Sequence, residues 1–316
     1  MKLIFFTFNR TTFSNLAVYL CLILLISSCN IFSSNMGSTI DIQGHRGCRG
    51  LMPENTIPAF IHAINLGVNT LELDVVATKE GVIFVSHEPF FSHEISTAPS
   101  GEEITKENER AYNIYTMTAN EVKSIDVGTK INSRFLLQKK MSVVKPTLRE
   151  MVTSVESYVK SNNLADILYN IEIKREPQND EIFHPKMEIF ADLVCNELAQ
   201  LGILDRTTVQ CFDIETLKYL HGKYPKIDLV YLVMDTNPFE ENLDRLGFLP
   251  AVYSPYFKLV TEELVKYGNK KSIKIIPWTV NEEEDINLML DLNVDGIISD
   301  YPDKLIEIEA SRKASL

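Results

Sequence analysis

Several patterns that would name a function outright are missing from this 316-residue sequence. No strand-like segment runs into Gly-x-Gly-x-x-Gly or Gly-x-x-x-x-Gly-Lys-Ser/Thr, which argues against a dinucleotide or P-loop site. No Lys/Arg-rich stretch interrupts the formal charge of −12, so an extended nucleic-acid backbone would have to bind against the field of the whole molecule. Nucleic acid is therefore not expected as a partner. The five cysteines have no paired spacing, and neither a zinc site nor a disulfide framework is indicated. No segment recurs as a second copy. What is present, 45% hydrophobic and 23% charged residues, is the composition of a folded globular chain and excludes disorder.

Long apolar runs are also lacking. Leu16 to Ile26 is too short to span a bilayer comfortably, but Lys2 and Arg10 precede it and Leu25-Ile26-Ser27-Ser28-Cys29 ends it. That ending resembles a bacterial lipobox, in which the cysteine becomes the lipid-bearing first residue. The expectation is a signal peptide over residues 1–29, a tether over 30–39 and a folded domain over 40–316, exported and lipid-anchored to a bacterial membrane, periplasmic or cell-surface. Ordinary signal cleavage and an uncleaved anchor are the alternatives. Cys48, Cys195 and Cys211 then remain as small buried residues, although an oxidising compartment would allow one pair to bridge.

From Ile40 onward strands and helices alternate. Strands are expected at 40–44, 70–77, 167–173, 207–212, 228–233, 250–253, 273–278 and 296–299, with a hairpin at Lys79-Glu80-Gly81 after the second. Thr147 with Glu150 and Asn281 with Glu284 read as capping boxes, and Thr261 as a further helix cap. Eight strands in strand–helix register match a closed (β/α)8 TIM barrel better than an open doubly wound sheet. The polar stretch from about 89 to 145 breaks the alternation and is read as a small insertion over one face. A barrel demands chemistry at the carboxyl ends of its strands.

Polar residues gather at those ends. His45 and Arg46 leave the first strand, Glu72 and Asp74 lie late in the second, Glu172 and Lys174 end the third, and Gln210 and Trp278 end two later ones. Strand alternation points Glu72 and Asp74 to one face, about 7 Å apart along the backbone. Unless a cation is present, repulsion and desolvation would protonate one of them. With Glu172 across the barrel, three carboxylates and water make an ordinary Mg²⁺ or Ca²⁺ site. One such cation leaves the carboxylates at about −1, while Arg46 and Lys174 add about +2, so the site accepts an anion such as a phosphate. His45 and His87 titrate near neutrality and supply a proton acceptor and a proton donor, which fits phosphodiester cleavage.

The segments His45-Arg46-Gly47, Pro53-Glu54-Asn55-Thr56, Glu72-Leu73-Asp74-Val75, His87, Glu172-Ile173-Lys174, Trp278-Thr279-Val280-Asn281 and Asp295-Gly296-Ile297-Ile298-Ser299-Asp300-Tyr301-Pro302 resemble, in order, the glycerophosphodiester phosphodiesterase family. The resemblance runs from Ile40 to the C-terminus. It implies a TIM barrel that hydrolyses glycerophosphodiesters to glycerol 3-phosphate and an alcohol. It implies His45 and His87 as the acid/base pair and Glu72, Asp74 and Glu172 as ligands of one divalent metal, Ca²⁺ or Mg²⁺. Arg46 becomes the phosphate clamp, Lys174 a second cation near the phosphate, and Trp278 an apolar wall for the glycerol. Glu54 and Asn55 are expected to brace the His45 loop. Cys48 and Cys211 depart from the family's more usual small residue and serine, and Cys48 is expected to make activity oxidant-sensitive.

Phe90 and Phe91 belong either at the substrate mouth or in the packing of the insertion. His62, His93, His184 and His221 are read as structural or surface residues. Two other readings stand beside the diesterase: a phospholipase acting on lysophospholipid or phosphatidylinositol-like substrates, which would want an exposed apolar rim, and a non-catalytic binding protein for phosphorylated ligands.

Overall fold

A computed structural model describes residues 40–315. The expected signal peptide, lipobox and tether lie outside the described residues. Among the described residues no helix is long and apolar enough to cross a membrane.

Among the described residues nine strands form one sheet: β1 (Asp41–Gly44), β2 (Thr70–Ala77), β3 (Ile83–Val85), β4 (Leu168–Ile173), β5 (Thr207–Cys211), β6 (Asp228–Val233), β7 (Val252–Pro255), β8 (Lys274–Ile275) and β9 (Gly296–Ser299). The parallel order is β8-β7-β6-β5-β4-β2-β1-β9, with β3 antiparallel to β2 as the expected hairpin. The ring closes between β8 and β9, where Asp295 N–H donates to the Ile275 carbonyl at 2.9 Å and Ile298 N–H to the Pro277 carbonyl at 3.0 Å. This is the TIM barrel expected from the alternation. β8 is shorter than the expected 273–278 because Pro277 has no N–H to give to a ladder. Trp278 N–H resumes the bonding, to the Pro255 carbonyl at 3.1 Å.

Helices pack outside the ring for local reasons. Leu148–Ser161 starts at the Thr147/Glu150 capping box and buries Leu148, Met151, Val152, Val155 and Val159, one face of a 3.6-residue period. Thr261 accepts from Leu264 N–H at the head of Glu262–Lys271. The box expected at Asn281/Glu284 does not form: Glu283–Asp291 begins without a side-chain cap, and the Asn281 carboxamide is engaged with Asp300 instead.

The barrel interior is divided. On the side of β1, β2, β4 and β5 it is polar, with Asn170 Nδ2 donating to Gln43 Oε1 at 2.9 Å and to Gln210 Oε1 at 3.1 Å. On the side of β6 to β9 it is apolar, built from Val230, Val252, Ile276 and Ile298 with Trp278 packed on top. Between β3 and the helix at Leu148 the chain forms short helical turns and isolated bridges around a separate apolar cluster. There Phe84 and Val76 of the hairpin meet Phe91, Ile104, Ile114 and Val122.

Candidate active site

Strand register brings the carboxylates together. Asp74 of β2 pairs with Glu172 of β4, and Glu172 with Gln210 of β5, so the three sit at one level on neighbouring strands. Glu172 is thus beside Asp74 and not across the barrel from it. Glu72 Oε1 accepts from Gln210 Nε2 at 2.7 Å and Oε2 from the Arg46 N–H at 2.9 Å. Asp74 Oδ2 accepts from Asn55 Nδ2 at 2.9 Å, while the buried Asp74 Oδ1 has no hydrogen-bond partner.

Glu72, Asp74 and Glu172 each offer an oxygen within 4.8 Å of the others. Burial, and then the Asp74 charge, push Glu72 well above the usual carboxylate range, and burial also raises Glu172. Burial would raise Asp74 too, but Arg46, His87 and Lys174 hold it below its ordinary value. All-oxygen donors, an orphaned buried oxygen and carboxyls that cannot all stay charged alone together fit a hard divalent cation.

Two histidines face this group, each fixed by its own carboxylate. His45 Nδ1 lies 2.6 Å from Asp300 Oδ1, and its Nε2 lies 3.9 Å from Glu72 Oε2. His87 Nδ1 lies 2.7 Å from Glu88 Oε1, and its Nε2 meets Lys174 Nζ at 3.0 Å. A proton on Nδ1 satisfies each acid and leaves Nε2 as the working nitrogen. Burial and the nearby Arg49 lower His45 to about 4 despite Asp300, which keeps the ring neutral at pH 7.

The cations are held as firmly. Arg46 takes φ +50° and Gly47 φ +87°, a turn that folds the chain back against the following helix, Ile57–Leu66. A Cβ at Gly47 would meet Ala59 at 2.8 Å, so only glycine fits there. Arg46 Nη1 donates to Glu54 Oε1 at 2.6 Å and its Nε lies 3.2 Å from Asp74 Oδ2. Glu54 and Asn55 therefore brace the loop and the carboxylate behind it. Lys174 Nζ donates to Glu172 Oε1 at 2.8 Å. Trp278 Nε1 donates to the Ser254 carbonyl at 2.9 Å, and its ring meets Phe212 edge-on at 5.5 Å. His45, Arg46, Glu72, His87, Glu172, Lys174, Gln210 and Trp278 all line one cavity of about 120 Å³.

A second cavity of about 370 Å³ opens beside it, sharing His87, Glu172, Lys174 and Phe212 but not His45. Phe90 and Phe183 line it, and the Arg110 guanidinium lies 5.3 and 5.5 Å from their ring centres. Among the described residues no carboxylate pairs with Arg110. The two phenylalanines after His87 thus divide: Phe90 faces the cavity and Phe91 is buried in the insertion's cluster.

Sequence reasoning left Asp300 and Glu88 without roles. Glu88 directly follows His87, and Asp300 follows β9 at a strand's carboxyl end, which was the available signal. Cys48 donates to the Ala59 carbonyl at 3.4 Å, and burial pushes its thiol up to about 12. Burial and a raised thiol are the surroundings of an inert cysteine and weigh against oxidant sensitivity at this position. Cys48, Cys195 and Cys211 are buried and unbridged. Of the other histidines, His93 pairs with Glu109, His221 stacks on Phe248, and His184 is packed against Phe190 beside the second cavity.

The sequence model of the glycerophosphoryl diester phosphodiesterase family matches residues 45–304, a span that contains every one of these groups. The chain belongs to that family. It is 29% identical over 266 residues to the glycerophosphodiester phosphodiesterase of Caldanaerobacter subterraneus subsp. tengcongensis, covering 84% of this chain and 95% of that one. A crystal structure from Silicibacter pomeroyi DSS-3 that carries the same family description superposes with a TM-score of 0.78 at 28% identity, covering 87% of this chain and 95% of the other. An Oleispira antarctica phosphodiesterase, solved with the product sn-glycerol-3-phosphate, shares the fold at a TM-score of 0.67 and 21% identity, over 85% of this chain and 96% of that one.

Proposed function

We propose that this phosphodiesterase hydrolyses glycerophosphodiesters to glycerol 3-phosphate and an alcohol by two-histidine acid/base catalysis at a single divalent-metal site. The observation that carries the reading is the pair of His–carboxylate dyads, His45–Asp300 and His87–Glu88, opening on a cavity lined by Glu72 and Glu172, two of the three clustered carboxylates. His45 Nε2 takes the proton of the attacking hydroxyl. As the attacking oxygen bonds to phosphorus and the bond from phosphorus to the alcohol oxygen breaks, His87, entering the step as the imidazolium with its Nδ1–H held by Glu88, gives its Nε2 proton to the departing alkoxide and is left neutral. The assignment follows from the cavities: His87 alone of the two borders the second, larger one, where the alcohol has room.

Glu72, Asp74 and Glu172 would hold the cation, Ca²⁺ or Mg²⁺, which supplies charge neutralisation at a phosphate oxygen. Arg46 and Lys174 take other phosphate oxygens, and Trp278 walls the glycerol. The test is release of glycerol 3-phosphate from glycerophosphocholine and glycerophosphoethanolamine by metal-stripped protein resupplied with either cation, beside His45→Ala. Turnover restored by metal and reduced about 10²–10⁴-fold in the variant is expected; no turnover with either metal overturns the reading.

One observation favours lysophospholipid cleavage as a second reading. Leu136 and Leu137 are strongly exposed, and exposed apolar surface is what a lipid substrate would want. Residues 25–29 support a lipid-anchored enzyme outside the cytoplasm, tested by whether Cys29→Ser releases the protein from membranes.

A further inference from the structure

Between Asp126 and Glu150 the chain carries no acidic residue, although the whole protein has a formal charge of −12. Within that window Ile131, Leu136 and Leu137 are 60%, 79% and 83% exposed. Large apolar side chains so exposed and so close together are uncommon on a monomeric surface unless something covers them. Flanking them in sequence are Lys130, Lys139 and Lys140, none of which has an ion-pair partner among the described residues. Arg134, also in the window, is paired with Glu94 and is not free to act.

The segment is fastened to the catalytic end of the barrel. Gln138 Nε2 donates to the Arg49 carbonyl at 2.6 Å and to the Met52 carbonyl at 3.0 Å, and Lys139 N–H donates to the Leu51 carbonyl at 2.8 Å. The buried Phe135 ring lies under the Arg49 guanidinium at 5.0 Å and edge-on to Tyr301 at 6.2 Å. Arg49 itself lines the cavity that contains His45. Thus Phe135 and Gln138 plug inward onto the loop that follows β1, while Leu136 and Leu137 between them are held outward.

We propose that Ile131, Leu136 and Leu137, flanked in sequence by Lys130, Lys139 and Lys140, form a membrane-docking surface that seats the catalytic end of the barrel on anionic lipid. The leucines enter the boundary between headgroups and acyl chains, and the lysines meet the headgroup charge. Charge decides the occupant. A surface otherwise strongly acidic is repelled by anionic lipid except at this basic rim, so docking fixes an orientation as well as a location. The contact does not depend on lipidation of Cys29 or on the identity of the diester.

The test uses a chain beginning at Ile40, since the strands described within residues 40–315 already close into a complete ring. Co-sedimentation is measured with vesicles of phosphatidylcholine alone and of equal parts phosphatidylcholine and phosphatidylglycerol. Binding to the mixed vesicles, weakened by salt, is expected. Leu136→Asp/Leu137→Asp and Lys130→Glu/Lys139→Glu/Lys140→Glu should each weaken it by at least about tenfold while leaving hydrolysis of a soluble diester within about twofold. Absence of binding to anionic vesicles, or equal binding by parent and variants, overturns the proposal. So does a parent that ignores vesicles but self-associates through the leucines, which would make the patch a contact between copies.

Discussion

Asp300 Oδ1 lies 2.6 Å from His45 Nδ1, although 255 residues separate the two. The same carboxylate accepts from Arg49 Nε at 2.7 Å and from Asn281 Nδ2 at 2.7 Å, so its position is fixed from three sides. Asp300→Asn retains the shape but offers His45 an amide, which no longer selects the tautomer with a free Nε2. A loss in kcat on the order of 100-fold or more is expected, with KM little changed. Asp300 also raises the His45 pKa, so the acid limb of kcat/KM should move to lower pH in the variant. Steady-state kinetics across pH reads both effects.

Acid stability follows from the same group. Burial would raise Asp300, but His45 and Arg49 overrule it and hold the carboxyl well below its ordinary value of 3.8. A lowered folded pKa stabilises the native state above the ordinary value, and that contribution drains away as pH falls toward the folded one. The stability difference between parent and Asp300→Asn should therefore be full above about pH 5 and shrink below about pH 4. Urea unfolding at several pH values measures it.

Metal removal should act in the opposite pH sense. Glu72 is raised by burial and by Asp74, so in the metal-free protein it keeps a proton that the unfolded chain loses above about 4.5. The metal-free protein consequently loses stability as pH climbs past that value. Adding Ca²⁺ or Mg²⁺ should raise Tm more at pH 8 than at pH 5 and release about one proton. Glu72→Gln should abolish the proton release, read by calorimetry in buffers of different ionisation enthalpy.

Alcohol selectivity should depend on Arg110. The rings of Phe90 and Phe183 already carry its guanidinium, and the Phe212 ring carries Lys174 Nζ at 6.0 Å. A cationic alcohol would meet protein cations at each ring, whereas a carboxylate would meet an unpaired guanidinium. Glycerophosphoserine should be preferred over glycerophosphoethanolamine, from which it differs by a carboxylate. Arg110→Ala should lower kcat/KM for the serine diester by about tenfold, mostly through KM, and change the ethanolamine diester less than about twofold.

Local chemistry made much of this readable in the chain. Glu72 and Asp74 announce a shared face by being two residues apart, and Glu172 with Lys174 repeats the spacing. The capping box at Thr147/Glu150 formed as its letters imply. The same letters at Asn281/Glu284 misled, because the pattern cannot reveal that Asp300, held nearby by barrel closure, is the stronger partner for Asn281. Asp300 was illegible as the partner of His45 for the same reason: their contact exists only once β1 lies beside β9. The internal order of the insertion was hidden by its short elements, none long enough to impose a period.

β1 and β9 are the first and last strands of the barrel, and they lie side by side, with the His45 N–H donating to the Ser299 carbonyl at 2.9 Å. The His45–Asp300 pair therefore straddles the seam where the two ends of the domain meet. A chain that ends anywhere between Glu172 and Asp300 has both histidines and all three clustered carboxylates yet lacks the partner of His45 Nδ1. Such fragments should show no turnover of phosphodiesters, which should appear only once the final strand docks beside β1.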